Sequence, residues 1–275
     1  MLGTDHPDNL VSRAGLARAA GDAGNLAQAL RLFRELLPDA QRVFGADHPD
    51  TLTVRSNIAF FTLRSGDTPA ALELFQALLP DQVRILGADH PDTLAGRNNL
   101  AYALAQAGDA REARRLLREL LADQRRLLGD RHPDTLATRG NLAQSTGEAG
   151  NACKALHLFR DLLADMTSLF GPDHPATLMV RNNVAFWTGA SRNAAKALEL
   201  FEALLADTAR AHGAEHPDVL RVRSNVAAWT ARAGHRANAR NLFLALLADQ
   251  RRHIGPTHPD VQRTEKWLAG LVPVH

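Results

Sequence analysis

The chain has 275 residues, with 32 Lys or Arg against 30 Asp or Glu and a single cysteine, Cys153. A formal charge of +2, spread without a run of like charges, argues against a nucleic-acid stripe or a membrane-surface helix. One cysteine excludes an internal disulfide framework and any cysteine-based zinc cluster. The start MLGTDHPDN has no apolar signal-peptide core, and no segment approaches the roughly 18 apolar residues of a membrane span, so the expected setting is cytoplasmic.

In chain order, His-Pro occurs at His6, His48, His90, His132, His174, His216 and His258, each 42 residues after the last. A fixed period of that length signals stacked repeats, so length is no guide to domain number. Leu2-Gly3 matches the Leu-Gly that ends a repeat. The chain is therefore expected to start inside the link of a missing preceding unit, either as a fragment or with its first helix covered by a partner or, through self-association, by another copy. Repeats follow at about 6–47, 48–89, 90–131, 132–173, 174–215 and 216–257, with a closing half-repeat at 258–275, all in one array over 1–275.

The third repeat shows the grammar. Pro91 suits a first helical turn, where its missing N–H leaves no bond unmade, and Asp92 sits near the positive end of the helix dipole. Leu94, Leu100, Ala101 and Leu104 then follow at helical spacing until Gly108-Asp109. A second periodic run carries Ala113, Leu116, Leu117, Leu120 and Leu121 and closes at Gly129. Each unit is thus helix A, a turn, helix B and a Gly-containing link. In the fifth repeat Arg192 replaces the turn glycine, which predicts an altered A–B link. In the seventh, Trp267 takes a position that five earlier repeats give to Asn.

Small residues recur where helices must approach: Ala17, Ala59, Ala101, Ala143, Ala185 and Ala227 on helix A, and Ala29, Ala71, Ala113, Ala155, Ala197 and Ala239 on helix B. Neither helix buries its apolar face alone, so neighbours must stack into a superhelix with a continuous core.

The consensus HPDTLxxRxNLAxxxxxxGxxxxAxxLFxxLL, with a terminal LG, resembles the 42-residue tetratricopeptide repeats of the kinesin light chain type, and most of all the arrays of actinobacterial proteins. The resemblance covers essentially the whole chain. It implies an all-α, right-handed superhelical solenoid of antiparallel helix pairs. It also implies a noncatalytic module that holds a protein or peptide in a concave groove lined by A helices. In bacterial members such arrays are often the sensor or adaptor part of larger signalling proteins, which makes a ligand-sensing or regulatory domain the alternative.

The recurring polar rows separate by helical angle. Zinc ligands lie about 2.0–2.1 Å from the metal, whereas successive histidines of the row stand two helices apart, so they read as joints and neither metal nor cofactor is expected. Arg13, Arg55, Arg97, Arg139, Arg181 and Arg223 point with the buried positions of helix A and so need a partner. The one equally regular acid on helix B is the row Asp39, Asp81, Asp123, Asp165, Asp207 and Asp249. Both positions are typically apolar in the light-chain pattern. A ladder of Arg–Asp pairs between helix A and a flanking helix B is expected, and removing one partner of a truly buried pair would cost about 3–5 kcal/mol.

Asn57, Asn99, Asn141, Asn183 and Asn225 lie about 200° around helix A from the Arg row. Their neighbours, five, twelve, thirteen and sixteen residues after each His, are where the repeats disagree most. Phe60, Arg64, Tyr102, Phe186, Trp187 and Trp229 stand among them, with Trp187 and Trp229 expected as exposed anchors, the other reading of either being a core residue. A fixed amide can donate to and accept from a peptide backbone of any sequence, and the resemblance implies the same contact. The other reading is that each Asn bridges neighbouring helices. No repeated nucleophile, carboxylate pair or Gly-rich phosphate loop points to catalysis.

Overall fold

The computed structural model describes residues 6–256 and 258–271. Leu2-Gly3 and the last four residues of the closing unit lie outside them. Among the described residues there are thirteen α-helices and no strand. The A helices are α1 (Pro7–Asp22), α3 (Pro49–Arg64), α5 (Pro91–Gln106), α7 (Pro133–Glu148), α9 (Pro175–Ala190), α11 (Pro217–Arg232) and α13 (Pro259–Leu271). The B helices are α2 (Leu26–Val43), α4 (Thr68–Leu86), α6 (Ala110–Leu128), α8 (Ala152–Phe170), α10 (Ala194–His212) and α12 (Arg236–His253).

Two compact units divide the chain, one ending at Ala149 and the other beginning at Gly150. In the first, each helix from α1 to α6 packs on the next; α5 also approaches both α3 and α7, so A helices share a side of the stack. In the second, each helix from α8 to α13 packs on its successor. The fold is a stack of helix pairs joined by short turns.

Each A helix starts in the same way. The imidazole Nδ1 of His6, His48, His90, His132, His174, His216 and His258 accepts the backbone N–H two residues on, at 3.2 Å in every case. The histidine is therefore an N-cap, satisfying one of the donors a helix start leaves open. Proline at the first helical position completes the start. The preceding B helix ends on a glycine in the left-handed region, such as Gly87 at φ 95° or Gly129 at φ 86°.

Packing follows the small-residue rows. All twelve of the recurring alanines are fully buried, and Phe33, Phe75, Phe159, Phe201 and Phe243 on the B helices are buried against them. Each such ring contributes about 1.5–3 kcal/mol by leaving water.

The expected altered link in the fifth repeat is not found. Arg192 adopts φ 70°, the left-handed conformation of Gly66 and Gly234 at the equivalent turns. Its N–H donates to the Gly189 carbonyl at 3.0 Å, as that of Gly234 does to Ala231 at 3.1 Å. The turn geometry overrides the side chain, at a strain cost of about 1–2 kcal/mol.

Two outcomes follow for stability. His90→Ala should lower the unfolding free energy by about 1 kcal/mol in urea titration, with His90→Asn restoring most of it. Arg192→Gly should raise it by about 0.5–1 kcal/mol, the relief of strain being partly offset by glycine's freedom in the unfolded chain. An unchanged midpoint in either case would contradict the assigned geometry.

Candidate functional site: the face of the A helices

Residues at equal offsets from the capping histidine share one environment at most offsets, though at twelve residues on Gln144 is half-buried and Ala228 buried. Those five residues on (Thr53, Ala95, Ala137, Met179, Arg221) and sixteen on (Arg64, Gln106, Glu148, Ala190, Arg232) are exposed throughout. At twelve residues on, Phe60, Tyr102 and Phe186 are exposed, Tyr102 at 43%. Asn57, Asn99, Asn141, Asn183 and Asn225 are half-buried between them.

The position thirteen residues on is different, and here the expectation of exposed anchors is corrected. Trp187 and Trp229 are only 5% and 4% exposed. The Trp229 ring stacks on Phe201 at 6.5 Å and lies over Gly189 of the preceding A helix, where a Cβ would come within 2.2 Å of it. Phe61 occupies Gly21 in the same manner, with 2.1 Å to a Cβ there. In the third repeat the bulk is reversed: Ala103 sits in one core cluster with Leu63 of the helix before. These side chains are keys between successive A helices.

The amide row divides. Asn141 donates from Nδ2 to Asn98 Oδ1 at 3.0 Å, and Asn225 to Asn182 Oδ1 at 2.8 Å, so each bridges to the A helix before it. Asn57, facing Ala14 at the equivalent place, instead donates to its own helix at the Thr53 carbonyl, 2.9 Å away. Asn99 and Asn183 make no side-chain hydrogen bond among the described residues.

Away from this face, the arginine and aspartate rows meet across the helix pairs inside each unit. Arg13 lies 2.8 Å from Asp39, Arg55 2.8 Å from Asp81, Arg97 2.7 Å from Asp123, Arg181 2.6 Å from Asp207 and Arg223 2.8 Å from Asp249. Arg139 belongs to the first unit and Asp165 to the second. The expected burial is not found: these side chains are 20–34% exposed. Each pair therefore has the small value of a partly exposed ion pair and not the roughly 3–5 kcal/mol of a buried one. The reason is position, since the pairs lie at the rim of the helix pair, where both side chains keep contact with solvent.

A second set of charges extends the rim. Arg84 pairs with both Asp81 (3.2 Å) and Asp47 (2.9 Å), and Arg210 with both Asp207 (2.9 Å) and Asp173 (3.3 Å). Hydrogen bonds from Arg55 and then Arg84 hold the Asp81 carboxyl below the ordinary carboxylate range, and Arg181 does the same to Asp207. Among the described residues no group of three or more His, Cys, Asp or Glu could hold a metal ion, and no helix is long and apolar enough to cross a membrane.

Two family models, both described as tetratricopeptide repeat, match the chain: one at residues 14–81, 50–125 and 95–168, the other at 177–218 and 219–260. The chain belongs to the tetratricopeptide repeat family. No curated protein matches it in sequence. Among solved structures, the nearly identical TPR-like repeats of a kinesin light chain-like protein from Podosopora anserina are 26% identical, with 76% of this chain and 98% of that one covered and a TM-score of 0.62. BtubC (BKLC) from P. vanneervenii is 18% identical over 85% of this chain and 94% of its own, with a TM-score of 0.64. A Rap protein in complex with Competence and Sporulation Factor is 11% identical over 94% and 76%, with a TM-score of 0.66. The last two likenesses speak for the fold. The repeats are similar to those of the kinesin light chain-like protein.

Within these tetratricopeptide repeats, sequence reading missed the amide acceptors Asn98 and Asn182, the keyhole glycines Gly21 and Gly189, and the outer arginines. Each left a signal. Asn-Asn doublets occur only at 98–99 and 182–183, large rings recur with glycine forty residues earlier, and an Arg follows most ladder aspartates by three.

The depressed carboxyls fix the sign of an acid response. A lowered folded value contributes stability that is present above the unfolded carboxylate value, near pH 4, and lost as pH falls through the folded one. Thermal unfolding should therefore shift down below about pH 4. Asp207→Asn should cost about 0.5–1 kcal/mol at neutral pH and flatten part of that slope. A slope unchanged in the variant would contradict the assignment.

Proposed function

We propose that this tetratricopeptide repeat chain is a noncatalytic scaffold that holds an extended peptide or partner segment along its A-helix face. One observation carries the reading. Along the A helices, most positions that repeat are buried, capped or ion-paired, while exposed and chemically diverse ones such as Thr53, Phe60, Tyr102, Met179 and Arg221 lie beside a half-buried amide row. Phe60, Arg64, Tyr102 and Phe186 supply apolar and charged contacts there, and Asn57, Asn99 and Asn183 supply amides not committed to another helix. The complex of Rap with Competence and Sporulation Factor supports ligand recognition as a use of this fold, which also fits the second reading, a ligand-sensing domain of a larger bacterial signalling protein.

The amide split makes the proposal testable. With a display library of random peptides panned on the full chain, Asn99→Ala/Asn183→Ala should lower affinity for the selected peptides about tenfold with melting unchanged. Asn141→Ala/Asn225→Ala, which breaks two bridges, should instead lower stability by about 1–2 kcal/mol in total. If the first double variant keeps full affinity for every selected peptide, the amide row is not a ligand contact.

A further inference from the structure

The first repeat departs from the others at one place, on two helices at once. Ala40 of α2 stands where Gln82, Gln124, Met166, Thr208 and Gln250 stand in later repeats, and all six are buried. Gly15 of α1 takes the place that Asn57 and its equivalents hold, and Ala14 beside it lacks the amide that Asn98 and Asn182 offer. The larger residues close the seam between successive A helices from both sides. From below, the Gln82 side chain fills the space that a Cβ on Gly96 of α5 would need, and its Nε2 donates to the Asp92 carbonyl at 3.2 Å. From above, Asn141 and Asn225 bridge to the A helix before.

Between α1 and α3 both closures are missing, and a cavity of about 290 Å³ takes their place, floored by Leu36, Ala40 and Phe44 and walled by Leu10, Val11 and Val54. An apolar cavity of about 150 Å³ is enough to hold benzene, so this one takes a ring with a short chain. Its floor is the buried row of α2, below the exposed face, and its volume is that of one small molecule. Arg18 and Asp50 line it, one cation against one anion, so charge favours a neutral occupant. The other polar side chains turn acceptors towards it. Asn57 Nδ2 is spent on the Thr53 carbonyl at 2.9 Å and the Thr53 hydroxyl on the Pro49 carbonyl at 3.0 Å, which leaves Asn57 Oδ1 to meet a ligand. Asp50 is the equivalent of Asp92, whose carbonyl takes the Gln82 amide, and Ala40 carries no donor to do the same. The place calls for an N–H.

We propose that the cavity between α1 and α3 is a binding site for a small neutral molecule that has an apolar body and ends in an N–H donor such as a primary carboxamide. The apolar body sits on Leu36 and Ala40, and the donor meets Asn57 Oδ1 or the Asp50 carbonyl, as the Gln82 amide meets Asp92. This site stands apart from the peptide reading of the A-helix face and does not depend on it.

The test titrates three probes with one apolar body into the full chain: 3-phenylpropanamide, its N,N-dimethylamide, which lacks the N–H, and the charged 3-phenylpropanoate. Binding is followed by NMR of the leucine and valine methyl groups. The primary amide should shift Leu10, Leu36 and Val54 with a dissociation constant of about 0.1–1 mM, and the other two should bind about tenfold more weakly. Ala40→Met copies a later repeat, where Met166 and Val180 hold the places of Ala40 and Val54. Filling the cavity should raise the melting temperature by about 2–4 °C and weaken the amide about tenfold or more. Gly15→Leu closes the mouth from an exposed position, where a Cβ meets nothing within 4 Å, so it should lose binding with melting undiminished even if Ala40→Met packs badly. No shift of these methyl groups, equal affinity for all three probes, or unchanged affinity in Gly15→Leu would overturn the site. Peptides selected on the chain that displace the amide and shift the same three residues would assign the cavity to the peptide and overturn it as well.

Discussion

One hydrogen bond, from a backbone N–H to the imidazole Nδ1 of the residue two places before it, recurs at the start of all seven A helices and organises everything else. It fixes where each helix begins, the following proline fixes the first φ, and a left-handed glycine closes the helix before. With start and stop pinned, every other row is in register. An Arg seven residues after the cap then meets an Asp on the B helix of the same repeat, and alanines face alanines at full burial. The histidine that resembles a chemical site is the element that makes the period 42 residues.

Register alone does not decide what each A helix shows to the outside. Successive A helices are also keyed by size: Phe61 into Gly21, Trp229 over Gly189, and in the third repeat a small Ala103 against a large Leu63. Each of these contacts sets one large side chain against a small one, and which helix supplies the bulk changes. A close-packed interior demands this, because one surplus methylene is felt as strain and one missing as a cavity. Part of the variation along the A-helix face is therefore compensation between neighbours. What remains after that subtraction, the residues five, twelve and sixteen places after the cap, is the set with surface to offer a partner.

The sequence reader could find what periodicity encodes. Helix starts at Pro91 and its equivalents, the alanine rows and the pairing of Arg55 with Asp81 all follow from fixed spacing, because spacing on a helix is angle and height. Depth was not legible. Arg97 and Asp123 pair as spacing suggests, yet at the rim, since a helical wheel cannot tell the edge of an interface from its centre. Trp187 and Trp229 misled for the same reason: their angle borders the exposed face, and only the glycines one repeat earlier disclose that the rings turn inward. Arg192 misled in the opposite sense, because a turn held at both ends can force an unfavourable residue into its conformation.

The account places architecture in what repeats and recognition in what does not. Its most direct measurement is a substitution scan of the whole chain read out twice, as folded abundance and as capture of a selected peptide. The account predicts that changes at Ala17, Ala59, Ala101, Ala185 and Ala227 lower abundance and capture together, whereas changes at Thr53, Phe60, Tyr102, Met179 and Phe186 lower capture alone. Capture-only positions falling instead on the B helices, at exposed residues such as Leu74, Leu242 and Leu244, would contradict it.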